Sequence, residues 1–152
     1  MTRYDIVKFL HIFAVIVWVG GGIMLQILLG RARKAGPADV ASFTGAAEWT
    51  SQRVFMPMSF AVLGFGIWLV VDSPWNFSEP WIGIGIIGYA LSALNGMINL
   101  GPTARKMKAL IAERGPADPG VQTLAKRLNL GGRLDLLVLV AVVFDMVIKP
   151  GT

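Results

Sequence analysis

Apolar residues in this chain fall in long, nearly unbroken runs separated by short polar segments, and do not alternate in the way that marks half-buried strands. A helix needs about 20 mostly apolar residues to cross the hydrocarbon core of a bilayer. Only helices or closed barrels satisfy their backbone there. Four stretches meet this requirement and predict helices at about 4–30, 54–71, 81–100 and 130–148. The fourth is the least regular, because its uninterrupted apolar part covers only 136–144, between Asp135 and Asp145. A lone strand of that length would leave its edges unpaired in lipid, so the segment is read as a helix. The first run, 12–29, is longer than a signal-peptide core and ends in Arg31, Ala32, Arg33 and Lys34 without a small-residue cleavage site, so a retained helix is expected. The fold class that follows is all-α: an integral membrane four-helix bundle, one transmembrane domain over residues 1–152.

Composition agrees, with 55% hydrophobic residues against 15% charged and a mean hydropathy of +0.63, outside the usual range of water-soluble domains. The net charge of +5 does not point to nucleic acid, because the basic residues lie between apolar runs and are not interleaved with aromatics on a polar surface. Their distribution instead indicates orientation, since Lys and Arg accumulate in cytoplasmic loops. Arg31, Arg33, Lys34 and Arg53 mark the first loop, and Arg105, Lys106, Lys108, Arg114, Lys126 and Arg127 the third, whereas 72–80 carries none. Both termini of this multi-pass membrane protein are therefore expected outside the cytoplasm. Tyr4, Trp75 and Trp81 suit the aromatic belt at the outer interface. The absence of cysteine excludes disulfides, thiolate nucleophiles, cysteine zinc sites and covalent CxxCH haem attachment.

The two basic loops echo each other. Ala32-Arg33-Lys34 and then Gly36-Pro37-Ala38-Asp39 are matched by Ala104-Arg105-Lys106 and then Gly115-Pro116-Ala117-Asp118, with Arg53 and Arg133 before the next apolar run. The chain is thus expected to be two helical hairpins in parallel repeat about an axis along the membrane normal. Asp39 and Asp118 are candidate N-caps, with Pro119 at the first helical position, so helices two and four are expected to extend into the cytoplasm.

Ionisable groups inside spans mark functional sites by default. His11 is the only histidine; it shares a helical face with Val15, Trp18, Gly22, Leu25 and Leu29, with Lys8 one turn earlier. Asp145 is expected at a similar depth. Imidazole is a common metal and haem ligand, so His11 is a candidate metal or cofactor ligand, while the simpler reading is a neutral histidine hydrogen-bonded to Asp145, a carbonyl or water. On helix three, Gly88, Ser92, Asn95 and Asn99 share a face with Gly96 beside it, a spacing that suits close helix packing with amides bonding across the contact. Alternatively, Asn95 and Asn99 line a polar inner cluster with Gln26, near Glu48, Arg53, Arg133 and Asp135, able to hold an anionic headgroup or substrate. Interfacial snorkelling and mutual ion pairing account for the same cluster. Gly20, Gly21 and Gly22 lie inside an apolar run and so form a packing surface or kink, not a phosphate loop. No nucleophile, base and acid constellation is visible, which makes a non-enzymatic reading the preferred one.

Lys8-Phe9-Leu10-His11, Val17-Trp18-Val19-Gly20-Gly21-Gly22, Arg53-Val54-Phe55-Met56-Pro57, Leu100-Gly101-Pro102, Arg133-Leu134-Asp135-Leu136 and Lys149-Pro150-Gly151 together resemble a domain-of-unknown-function family of bacterial predicted integral membrane proteins, over nearly the whole chain. That resemblance implies a four-helix fold without an activity. Helix one alone is similar to HemJ-type protoporphyrinogen oxidases and to copper-resistance protein D-like membrane domains. This second likeness implies haem b or porphyrin at His11, with Trp18 and Gly22 shaping the pocket and Lys8 or Asp145 contacting a propionate or fixing the imidazole. Two functions are carried forward: an accessory or small-molecule-binding membrane module, alone, as a homo-oligomer or in a larger membrane complex, and a haem-binding redox protein.

Overall fold

The computed structural model describes residues 2–150, so Gly151 of the last motif lies outside the described residues. Four long helices account for nearly all of it: α1 (Arg3–Ala35), α2 (Pro37–Val71), α3 (Pro80–Arg114) and α4 (Pro119–Ile148). No strand occurs among the described residues. α1, α2 and α3 are long and apolar enough to cross a membrane. α4, at 30 residues, has the length, but Arg133, Asp135 and Asp145 interrupt its apolar half. Three of the four expected crossings therefore have the length and composition of membrane spans.

The helix ends nearest the 72–79 turn lie where the apolar runs stop, at Val71, Pro80 and Ile148. At the opposite, basic end the helices continue well past them. Lys, Arg, Glu, Gln and Leu are good helix formers, so leaving the hydrocarbon does not end a helix. What ends them is glycine at positive φ, Gly36 at 144° and Gly115 at 84°, where a side chain would be strained. Each donates its N–H back into the finished helix, to the carbonyls of Ala32 (3.0 Å) and Ile111 (2.9 Å). The repeated Gly-Pro-Ala-Asp is thus a repeated helix stop. The restart differs between the copies. Asp118 caps α4, accepting from Gly120 N–H at 2.7 Å, with Pro119 first in the helix as expected. Asp39 is not an N-cap: α2 already starts at Pro37, with Gly36 before it, because proline needs no partner for a missing N–H. One residue thus joins α1 to α2.

α1 packs on α2 and α3 on α4, giving two antiparallel hairpins; α1 also touches α4, and the basic halves of α2 and α3 meet. All four helices contribute to one buried cluster, Leu29, Ala32, Val40, Met107, Val121 and Ala125, at the basic end. Elsewhere large apolar side chains point outward, as at Phe9, Phe60, Phe144 and Ile98, the last 72% exposed. The reason is the change of solvent. Water drives apolar burial at the basic end, whereas between lipid-embedded helices small residues and hydrogen bonds carry the contact. Accordingly α3 meets α4 through Gly85, Gly88, Ser92 and Gly131, all buried, while Gly132 of α4 is closed by Gln26 of α1.

Three helices contain a π-helical turn: Ile16–Gly20, Ser51–Phe55 and Gly96–Leu100. In the last two the wide turn closes with Met56 N–H bonded to Ser51 O and Gly101 N–H to Gly96 O. Pro57 and Pro102 follow immediately. Proline lacks the N–H for the next i→i−4 bond and its ring crowds that carbonyl; a wider turn accommodates both.

Candidate functional site

Away from the basic end the two hairpins stand apart and enclose a cavity of about 550 Å³. On each helix the lining residue farthest from the 72–79 turn marks its floor: Val19, Val62, Tyr89 and Leu139. Beside Val19, Trp18 meets the Tyr89 ring across the bundle, centroids 5.6 Å apart and tilted by 59°. Tyr4, Trp75, Phe77 and Lys149 line the opposite end, nearest the 72–79 turn. From Tyr4 to Trp18 the helical rise gives a depth of roughly 20 Å. The walls are aliphatic, including Ile12, Val15, Leu63, Ile86 and Val142.

Few polar groups enter this space. Lys8 and His11 line it one turn apart on α1. His11 Nδ1 is buried, the imidazole faces the Val62 backbone of α2, and its ring lies over Gly66, where a Cβ would come within 3.2 Å of Cε1. A glycine opposite the imidazole therefore leaves the room the ring occupies. At the end nearest the 72–79 turn Lys149 Nζ sits 4.9 and 5.0 Å from the Trp75 and Trp81 ring centroids, within cation–π range. Those two indoles meet edge to face at 5.6 Å.

Of the residues singled out around His11, Lys8 and Trp18 share its cavity, while Gly22 and Asp145 do not line it. Gly22 packs toward Leu136 of α4. Asp145 is buried, with Oδ2 unpartnered, outside the cavity lining, so the expected pairing of His11 with Asp145 is not made. Gly20 closes the π turn of α1 and faces open space, and Gly21 seats the Phe55 ring.

The polar inner cluster divides into separate places. Asp135 accepts from Ser92 Oγ at 3.0 Å and from Asn95 Nδ2 at 3.1 Å, and Asn95 Nδ2 also reaches Gly131 O at 3.2 Å. Asn99 Nδ2 donates to Asn95 Oδ1, and Arg127 Nε to Asn99 Oδ1, both at 3.1 Å. This ladder joins α3 to α4 and supports the packing reading of the helix-three face. Glu48 pairs with Lys108, joining α2 to α3. Gln26 lies against Gly132, where any Cβ would overlap its amide. Arg133 faces a groove shared with α1, and Arg53 is exposed within the π turn of α2. Arg127, Tyr89 and Lys149 are the site residues that sequence patterning missed; the basic character of the segment ends pointed toward Arg127 and Lys149, and nothing toward Tyr89, inside the third apolar run.

No group of three or more His, Asp or Glu able to hold a metal occurs among the described residues. A family model described as "Predicted integral membrane protein (DUF2269)" matches residues 5–150. No curated protein and no solved structure matches. The likeness of helix one to HemJ-type oxidases and copper-resistance protein D-like domains gains no support from these comparisons.

Proposed function

Since the chain belongs to this family of integral membrane proteins, we propose that it is a non-enzymatic membrane module binding a bulky, largely apolar small molecule between its two hairpins. The observation that carries this reading is the cavity itself: about 550 Å³ is the size of a small-molecule site, and such sites combine apolar walls with a few placed polar groups. The ligand's apolar body lies among the aliphatic walls, a hydrogen-bonding group meets His11, and an acidic group is drawn to Lys8 at the mouth. A second reading, haem b with His11 as axial ligand, is favoured by an imidazole that lines a cavity also carrying Lys8. A flat apolar ring with acidic substituents suits that distribution, and His11 supplies the one histidine nitrogen donor.

One set of preparations tests both readings. Purified in mild detergent, the parent chain is expected to carry an organic adduct in native mass spectra, lost in Val15→Trp and Val62→Trp, which fill the cavity. Identical spectra for parent and filled variants would overturn the binding reading. If the adduct is haem, the parent shows a Soret band that His11→Ala abolishes; a colourless protein from haem-replete cells removes the second reading alone.

The same proposal places α4 across the membrane as a fourth span, its polar side chains turned to α3, with the basic end in the cytoplasm of a bacterial inner membrane. Because the chain has no cysteine, single replacements report sidedness directly. Ser78→Cys is expected to react with an impermeant maleimide on intact spheroplasts, and Ala112→Cys only after permeabilisation. The reverse pattern would invert the topology.

A further inference from the structure

A second concavity lies on the outside of the bundle, where α1 meets α4 toward the basic end. Its volume is about 420 Å³. On α1 the stripe Ile23, Ile27, Gly30 and Lys34 follows one helical face, with Arg31 beside it, and α4 contributes Arg133 and Leu136. Three cations thus converge on one groove whose lining contains no acid. None of them pairs with a carboxylate among the described residues: the ion pairs there are Arg3 with Asp72, Lys108 with Glu48 and Arg114 with Glu113. The nearest acid along α4, Asp135, is occupied on the α3 side by Ser92 and Asn95.

We infer that this groove binds the headgroup of an anionic glycerophospholipid. Charge complementarity selects the sign, since one phosphodiester carries a single negative charge against three positive groups, and a zwitterionic headgroup adds an ammonium that they repel. The order of residues selects a lipid over a free anion. Arg31 and Lys34 lie at the basic end, while Ile23, Ile27 and Leu136 continue the groove toward the hydrocarbon, where an acyl chain lies against them. Gly30 keeps the floor open between these regions, with nothing within 4 Å of where a Cβ would be. Arginine suits the phosphate because its guanidinium donates two parallel hydrogen bonds.

The test uses the full chain in delipidated neutral detergent, titrated with phosphatidylglycerol, phosphatidylcholine or inorganic phosphate and read by native mass spectrometry. Phosphatidylglycerol is expected to be retained in preference to phosphatidylcholine. The combined Arg31→Gln, Lys34→Gln, Arg133→Gln variant should lose at least about tenfold in affinity, since each cation near a headgroup contributes on the order of 1 kcal/mol. Two further variants separate the groove from general charge and from misfolding. Lys106→Gln with Arg114→Gln and Lys126→Gln removes the same charge elsewhere and should bind as the parent does. Arg31→Lys with Arg133→Lys retains the charge in the groove and should keep most of the binding. Equal loss in both neutralised variants would overturn the proposal in favour of diffuse attraction, and displacement of the lipid by inorganic phosphate at equal concentration would show a free-anion site instead.

Discussion

Gly88→Leu is expected to destabilise the bundle more than any other single glycine replacement in α3. Gly88 is buried against α4, and a Cβ there would overlap Val142 Cγ2, with Val142 Cβ and Val138 Cγ1 close behind. Valine in a helix is held to essentially one χ1 rotamer, so Val142 cannot swing aside and the helices must separate. Overpacking of this kind typically costs about 1–3 kcal/mol. Gly85 also faces α4, but its obstacle is the tip of Met146, a flexible side chain that moves more readily. Gly83, two residues away, has nothing within 4 Å of its Cβ position; Gly83→Ala should leave stability unchanged or raise it by about 0.5–1 kcal/mol through helix propensity. Thermal unfolding in one detergent compares the variants. Equal effects at Gly83 and Gly88 would refute the close-packed α3–α4 contact.

The second large effect is expected at Asp135. Its carboxylate accepts from Ser92 and Asn95, and Ser92 is buried. Asp135→Ala leaves the serine hydroxyl without its acceptor and removes the centre of the ladder, for a loss of about 1–2 kcal/mol. Asp135→Asn retains an acceptor oxygen and should lose less. A double-mutant cycle with Ser92→Ala isolates the shared part: if the two bond as described, the double variant is less destabilised than the sum of the singles. Strict additivity would show that the ladder does not hold the helices together.

The centre of the ladder was legible in the sequence because Ser92 and Asn95 lie on the α-helical part of α3, ahead of the π turn that contains Asn99, where 3.6-residue spacing places side chains reliably. On α1 the same arithmetic failed at Gly22. Between His11 and Gly22 lies the π turn Ile16–Gly20, which adds to the residues per turn and rotates everything beyond it relative to a regular helix. His11 and Trp18 stay at the cavity; Gly22 turns toward Leu136. No proline like Pro57 or Pro102 marks that turn; its one local sign is the run Gly20, Gly21 and Gly22, read as a packing surface or kink, at which the turn closes. The basic helix ends were illegible for a different reason: hydropathy records where the hydrocarbon stops, not where hydrogen bonding stops. Asp145 shows the limit of depth as a guide, because matching His11 in height does not place it on the same face.

The buried cluster at the basic end and the apolar exterior elsewhere have a consequence for how sequence change is tolerated along this molecule. At Val40 or Met107 a polar replacement is harmful because it is put inside; at Ile98 or Phe144 it is harmful because it is put outside. The same chain is thus subject to opposite selection rules within a few helical turns, and a residue's exposure alone does not tell which rule applies until its height along the bundle is known.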